Sequence, residues 1–393
     1  MNIKDNKEWT ILIYADGNNE MEDVIYNSFN TCTSSYVGED TNVVIEIGLL
    51  GKINSPEGKW CGVRRYCINC KDTIQTKYND INNYADNTSS SSVNPIFLED
   101  LGNHNMADPN NLFNFISWGM KTYPAEHCMV ILSGHGTDFV GCLTDLSFSN
   151  HYIMGIPEMA KAIYLGSKSA NSIIDILVLD MCFMNSIEIV YEFSQYTDFI
   201  KTMITYTNFA PYEGLNYKRL IEFMACNSHT KDLNKFITLL IDTLKFSLTA
   251  YRLDKTQLDK IKQTLSDLGL YYLTKHSKVD CAYKSTEQNQ IMDYLKESHC
   301  EELKKINNVI NSIIIHCKTK FMGLNSSIKI TSEDVSALIF FYSKLTFSKN
   351  NYWTKLLSNL PIDEEGKNIN KVKVRTINST TSTIHYILPL NSV

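Results

Sequence analysis

The chain has no excess of basic charge, no long apolar run and no internal repeat. Its 393 residues carry 37 Lys and Arg against 43 Asp and Glu, a formal net charge of −6. A nucleic-acid binder usually presents a basic face, so this balance argues against a nucleic-acid partner. No stretch approaches the ~18 consecutive apolar residues of a membrane-spanning helix. The longest candidates, Ile313–Ile315 and Ala337–Tyr342, are far shorter, and no membrane partner is expected. The polar start Met1–Trp9 leads into an apolar run too short for the core of a secretory signal, and no small-residue cleavage site follows. A cytoplasmic protein is therefore the expectation, with secretion left open if a leader was removed. There is no EF-hand pattern. Cys67 and Cys70 form a lone C-x-x-C, and without a second pair at ligand spacing a zinc site is not expected.

Hydrophobic residues make up 44% of the chain and charged residues 20%, which excludes a disordered polymer and allows a substantial core. Eleven cysteines are scattered along it, several inside apolar runs (Cys128, Cys182, Cys317). That pattern suits reduced thiols packed in a core better than a disulfide framework. Cys300 beside His299 and Cys317 beside His316 also read as packing residues, since neither pair follows a strand.

Short apolar runs alternate with helical patterns through the first half, the signature of a mostly parallel sheet flanked by helices. Trp9–Tyr14, Asn42–Leu50, His127–Leu132, Asp175–Leu179 and Lys201–Thr205 read as strands, with Gly62–Cys70 as a hairpin arm. Glu20–Asn30, Asp108–Lys121, Ile156–Tyr164 and Ser186–Phe193 read as helices, and the Asn- and Ser-rich Asn83–Val93 as an exposed loop. Beyond Tyr217 the texture turns to long helical patterns, Lys231–Arg252, Gln257–Leu268 and Gln290–Phe321. Strands expected at Val335–Phe341 and near Thr383–Leu388 return the chain to a sheet. The expected organisation is a core over residues 1–225 that carries the chemistry, followed by a helical region over 226–393.

Two strands end in reactive side chains. Leu132-Ser133-Gly134-His135-Gly136-Thr137 runs a strand into a histidine held between glycines. Val178-Leu179-Asp180-Met181-Cys182 runs another into an acid and a cysteine ahead of a helix. Ligands of parallel α/β sheets gather at the carboxyl ends of strands, so both groups belong on one edge. A thiol at a helix start has its thiolate favoured by the helix dipole, and an imidazole nearby can move its proton. The Gly136 and Cys182 amides are the expected oxyanion donors. Taken singly, Cys182 reads more readily as a buried cysteine and His135 as a turn residue; the pairing carries the catalytic reading.

These motifs resemble the clostripain family of cysteine peptidases. Trp9–Glu22 resembles its opening strand and turn, Ile131–Gly136 its histidine motif and Asp175–Phe193 its cysteine motif. Pro211–Tyr217 is similar to a segment lining its specificity pocket, and Val335–Phe341 with Tyr342, Leu345, Phe347, Trp353 and Leu356 to its closing strand and helix. The resemblance implies a caspase-like α/β three-layer sandwich. It further implies a His135–Cys182 dyad without an obligatory third member, acting on protein or peptide substrates by endopeptidase cleavage after Arg or Lys. Asp180 stands where the family carries one acid of the substrate-binding S1 pocket. No cofactor is required, and the resemblance leaves calcium open as an activator. It also implies processing between the histidine and cysteine motifs, where Lys161 and Lys168 are the candidate sites. Two departures stand out. Thr205–Ala210 has no acid where relatives carry one, with Glu213 as the substitute, and Asn18 replaces a common Asp. A caspase-like peptidase with a non-basic preference and a catalytically inert peptide binder are the alternatives.

Overall fold

Trp9 to Ala15 alternates side chains that are all apolar or aromatic except Thr10, so a strand built from this run is greasy on both faces. It forms β1 (Lys7–Gly17) at the middle of a nine-stranded sheet. In the computed structural model, residues 7–35, 37–53, 60–68, 95–207, 209–274, 300–318 and 338–358 are described, with the backbone of 373–377 and 383–387. The expected loop Asn83–Val93 and Cys70 lie outside them, as do the side chain of Cys300 and residue His299.

Parallel pairing joins β1 to β2 (Thr41–Leu49) on one side and β5 (Ala125–Ser133) on the other. It continues to β8 (Ile174–Asp180) and β9 (Ile200–Tyr206). Antiparallel strands extend both ends: β3 (Gly62–Ile68) and β4 (Ile96–Gly102) beyond β2, and β10 (Leu248–Arg252) and β11 (Ile314–Cys317) beyond β9. Leu12, Tyr14, Val130, Leu132, Leu177 and Leu179 pack on one face; Ile11, Ile13, Met129, Ile131, Ile176 and Val178 pack on the other. The first face is covered by α2 (Pro109–Thr122), α3 (Ile156–Ala170), α4 (Ile187–Phe193) and α7 (Lys255–Thr274). The second is covered by α1 (Glu22–Thr33), α5 (Tyr217–Asn227) and α6 (Leu233–Leu244). Short polar residues fix where helices begin. Asp108 accepts from the Asn110 amide at 2.8 Å ahead of Pro109, and Asp232 from Asn234 at 3.0 Å.

The second half departs from its sequence pattern. The helix expected over Lys231–Arg252 breaks at Lys245, which adopts φ +61°, and the chain continues as β10. Within Gln290–Phe321, helix α8 (Cys300–Ile313) gives way to β11, where Ile314 and Ile315 supply β-branched residues to the sheet edge. The strand expected at Val335–Phe341 is instead, where described, a helical turn over Ile339–Tyr342. Its buried Phe341 and Tyr342 are adjacent in sequence, whereas a half-buried strand alternates. Residues 383–387 do form a strand, β13, but in a second, four-stranded sheet with β12 (Lys373–Ile377), β7 (Tyr152–Met154) and β6 (Cys142–Asp145). The cysteines also divide differently. Cys67 is disulfide-bonded, which corrects the reading of reduced thiols at that position. Burial pushes the thiols of Cys32, Cys128 and Cys142 up, Cys32 to about 12, so they stay protonated as core residues.

Buried acids hold the segment 338–358 to α4. Tyr342 donates to Glu188 at 3.0 Å, and the amide and hydroxyl of Thr346 donate to Glu192 at 2.7 and 2.8 Å. Glu158 on α3 faces the same layer, and its Oε2 has no hydrogen-bond partner among the described residues. Burial pushes its carboxyl from 4.5 up to about 7; Glu192 adds to the rise, and Lys344 and Lys161 oppose it. An acid raised in the folded state stabilises the fold fully below its unfolded value, and that contribution is lost as pH climbs through the folded value. Glu158→Gln should therefore melt close to the parent at pH 5 and higher than the parent at pH 8. The gain is about 3 kcal/mol at most. Calorimetry at the two pH values checks it.

Candidate active site

β5 and β8 are neighbours in the sheet, so the two motif-bearing strands end side by side. Ser133 and Asp180 are register partners, and the Gly134 amide reaches the Asp180 carbonyl at 3.4 Å. The chain past Ser133 turns out over the sheet edge and is laced into a ribbon. The Leu143 amide donates to the His135 carbonyl at 2.9 Å, Gly136 bridges Cys142, and the Thr137 amide donates to the Gly141 carbonyl at 2.9 Å. The turn after β8 carries Cys182, half-buried, and Phe183 with φ +62°. The ribbon and this turn are in contact. A Cβ on Gly136 would collide with the Cys182 carbonyl and stand 2.6 Å from Cε of Met184. The structure thus brings the His135–Gly136 segment against the Cys182 turn, 47 positions away in sequence.

Cys182 does not open a helix. It lies in a turn, and α4 begins five residues later at Ile187 and spans only seven residues. The helix-dipole argument for its thiolate is therefore set aside. The turn is fixed instead by Asn185, which donates to the Thr207 carbonyl at 3.0 Å and accepts from the Tyr251 hydroxyl at 2.6 Å. Those bonds tie the cysteine turn to the ends of β9 and β10. Across the site, Nε2 of His135 lies 2.9 Å from Oε1 of Glu20, an ion-pair distance without hydrogen-bond alignment.

Asp180 is 3% exposed. Its Oδ1 accepts from the Tyr206 hydroxyl at 2.7 Å; its Oδ2 accepts from Ser133 at 2.8 Å and Tyr217 at 3.0 Å. The Leu215 amide also donates to it. Burial pushes the carboxyl above its ordinary range, and these donors pull it back. Burial and the Asp180 charge together push both phenols well above theirs, so they remain donors. Gly214, at φ +68°, passes directly over the carboxylate; a Cβ there would stand 3.3 Å from Oδ2. Glu213 precedes it, exposed at the tip of the Pro211–Gly214 turn.

Asn18 explains itself in the opening turn. Its amide donates to Asp145 at 2.8 Å, and Asp145 also accepts from the Met106 amide at 2.7 Å. Asp16 is buried alongside, its carboxyl pushed well above the ordinary range by burial and then by Asp145. An aspartate at 18 would bury a further carboxylate against these two. Lys161 and Lys168 both lie on α3; Lys168 is exposed in the last turn, 3.0 Å from the Tyr164 hydroxyl. Cleavage at either would require α3 to unwind, because a protease cleft takes extended chain. Among the described residues, no group of three or more His, Cys, Asp or Glu is placed to hold a metal ion. No described helix is long and apolar enough to cross a membrane.

Ser133, Tyr206, Tyr217, Asn185 and Glu20 were not legible as site residues from sequence. Glu20, Ser133, Asn185 and Tyr217 each lie inside a motif already quoted, but nothing in the spacing of Ser133 and Tyr217 points to a shared carboxylate.

A helix-covered, mostly parallel sheet whose adjacent strand ends carry a histidine ribbon and a cysteine turn defines a cysteine-type peptidase of caspase-like architecture. The model of the Clostripain family matches residues 13–391, and the chain belongs to that family. It is similar in structure to an inactive zymogen C11 protease from Parabacteroides distasonis, with a TM-score of 0.60 at 14% identity, covering 89% of this chain and 99% of that one. It is also similar to a secreted C11 cysteine protease from Bacteroides thetaiotaomicron in complex with an irreversible peptide inhibitor, with a TM-score of 0.58 at 11% identity, covering 87% and 98%. At those identities the likeness establishes the fold. No curated protein sequence matches the chain.

Two substitutions check the geometry. Asn18→Asp replaces a buried amide donor by a like charge and should cost about 3 kcal/mol at pH 7, with part of that recovered near pH 5. Gly136→Ala should separate the ribbon from the cysteine turn and slow inhibitor labelling of Cys182 at least tenfold, measured by intact-protein mass spectrometry.

Proposed function

We propose that this chain is a cysteine endopeptidase in which Cys182 attacks the scissile carbonyl and His135 moves the proton. His135 takes the thiol proton and later delivers a proton to the leaving amine. Cys182 Sγ forms a bond to the carbonyl carbon as the peptide C–N bond breaks, and water then releases the acyl group. The Gly136 and Cys182 amides are assigned as oxyanion donors. The observation that carries this reading is the contact between Gly136 and the Cys182 turn, which joins the two motifs at one sheet edge. Three core cysteines are sealed away with raised pKa values, whereas Cys182 is half-buried.

The substrate is a protein or peptide. The family resemblance supports Arg or Lys at P1, with Asp180 and Glu213 in the substrate site. One observation favours the second reading, a non-basic P1: the acceptor positions of Asp180 are already taken by four donors. Processing between the motifs stays within the proposal, supported by the zymogen relative, but not at Lys161 or Lys168 while α3 is intact. Calcium has no step in this scheme.

Cys182→Ala should abolish hydrolysis of a mixed peptide library and lose covalent labelling by peptidyl acyloxymethyl ketones, with an unchanged melting curve. Turnover at the parent rate in that variant would remove the assignment. A parent protein that folds, leaves the library intact and does not label at Cys182 would instead be the inert peptide binder.

A further inference from the structure

We infer that Glu20 is a positioning residue for His135: its carboxylate accepts the Nε2–H of the ring and leaves Nδ1 to serve Cys182. This rests on His135 being the proton carrier and Cys182 the nucleophile, as proposed above.

Glu20 and His135 are far apart in sequence, yet their backbones hang on the same strand, β6. The His135 carbonyl is pinned there by the Leu143 amide. The turn that carries Glu20 is fastened a few residues further along. The side-chain amides of Asn18 and Asn19 donate to Asp145 and to the Thr144 carbonyl, both at 2.8 Å, and the Leu146 amide donates to the Asn18 carbonyl at 2.8 Å. On its other side the turn lies against the histidine strand: a Cβ on Gly134 would stand 3.2 Å from Cβ of Asp16. The turn is also folded on itself, with the Asn18 amide donating to Asp16 at 3.2 Å and the Met21 amide to Asn19 at 2.9 Å. The main chain thus delivers the Glu20 carboxylate to the ring.

Oε1 of Glu20 faces Nε2 of His135 at 2.9 Å. That nitrogen is shut off from water, although the side chain as a whole is 31% exposed, and it has no aligned partner among the described residues. A ring nitrogen buried in this way is costly to leave unpaired, and Glu20 is the group placed to pair it. Among the described residues Glu20 has no Lys or Arg partner. Its side chain is 69% exposed, and an ion pair with one exposed member adds little to stability. What the contact does is choose the tautomer. A neutral imidazole carries one N–H, and a carboxylate can only accept, so the hydrogen is held on Nε2 and the lone pair on Nδ1. Catalytic hydrogen bonds are often misaligned before substrate binds and tighten afterwards. In the reaction the S–H bond of Cys182 breaks as an Nδ1–H bond forms, giving thiolate and imidazolium, and Nδ1 later passes that proton to the leaving amine. Glu20 keeps its negative charge throughout and takes no proton. Such a residue sharpens a Cys–His dyad without being obligatory to it.

The test uses the full chain labelled with 15N-histidine. The His135 signals are identified among those of the nine histidines by their loss in His135→Gln. In the neutral ring the parent should show the Nε2–H tautomer, and Glu20→Ala a mixture of the two. With the best substrate of the peptide library, Glu20→Ala should lower kcat about tenfold with KM and the melting curve unchanged. Glu20→Gln, which keeps the reach and can accept through Oε1, should stand between the two. A tautomer that does not respond to Glu20→Ala overturns the inference, whether or not kcat falls, and leaves the peptidase reading standing. A parental kcat in Glu20→Ala overturns it as well. Turnover of no peptide by the parent, with no covalent labelling of Cys182, removes the reading it rests on, whatever the tautomer.

Discussion

The sheet edge where the histidine and cysteine segments meet leans on one buried carboxylate. Asp180 stands at the end of β8, two residues before Cys182, and draws Ser133 from β5, Tyr206 from β9, and Tyr217 and Leu215 from the approach to α5 into a single point. Each of those donors is buried and would be costly to leave unmade. The carboxylate in turn would be costly without them. The cysteine turn, the histidine strand and the Pro211–Gly214 turn are thereby held in one mutual arrangement. Preorganisation of this kind is what an acyl-transfer site needs, since its oxyanion donors must already point where charge will develop.

The surrounding architecture keeps that point dry and rigid. Five parallel strands with apolar side chains on both faces leave water no route through the sheet. Antiparallel pairs at each end supply the outer edges. Buried glutamates on α4 fasten the late segment 338–358 to that helix, so the second half of the chain braces the first.

The sequence announced the central sheet plainly, because fully buried parallel strands read as unbroken apolar runs with turn residues between them. The five parallel strands were visible in this way, and so were the two reactive strand ends. It misled where strand and helix share composition. Leu248–Arg252 and Ile314–Cys317 follow helical stretches without an intervening Pro or Gly, and only pairing, of β10 with β9 and of β11 with β10, decides their state. Ile339–Tyr342 failed the other way, a β-rich run folded as a turn of helix because Phe341 and Tyr342 must both be buried. The placement of His135 and Cys182 past adjacent strand ends was legible because both follow apolar runs. Tyr206, Tyr217 and Asn185 were not, because a hydroxyl or amide acquires its meaning from a partner dozens of residues away.

The small second sheet ties the histidine segment to distant parts of the chain. β6 continues from the ribbon that starts at His135, β7 pairs with β6, and β13 closes on β7 through His385 and Tyr386. The strand that leads into Cys182 and the strands beside it are drawn from residues up to 252. Among the described residues, the far side of β7 is covered by β13, from a part of the sequence remote from β6 and β7. The segment that carries His135 thus leans on contacts of longer sequence range than the strand that leads into Cys182, and fraying of the small sheet would loosen the histidine while β8 stays paired.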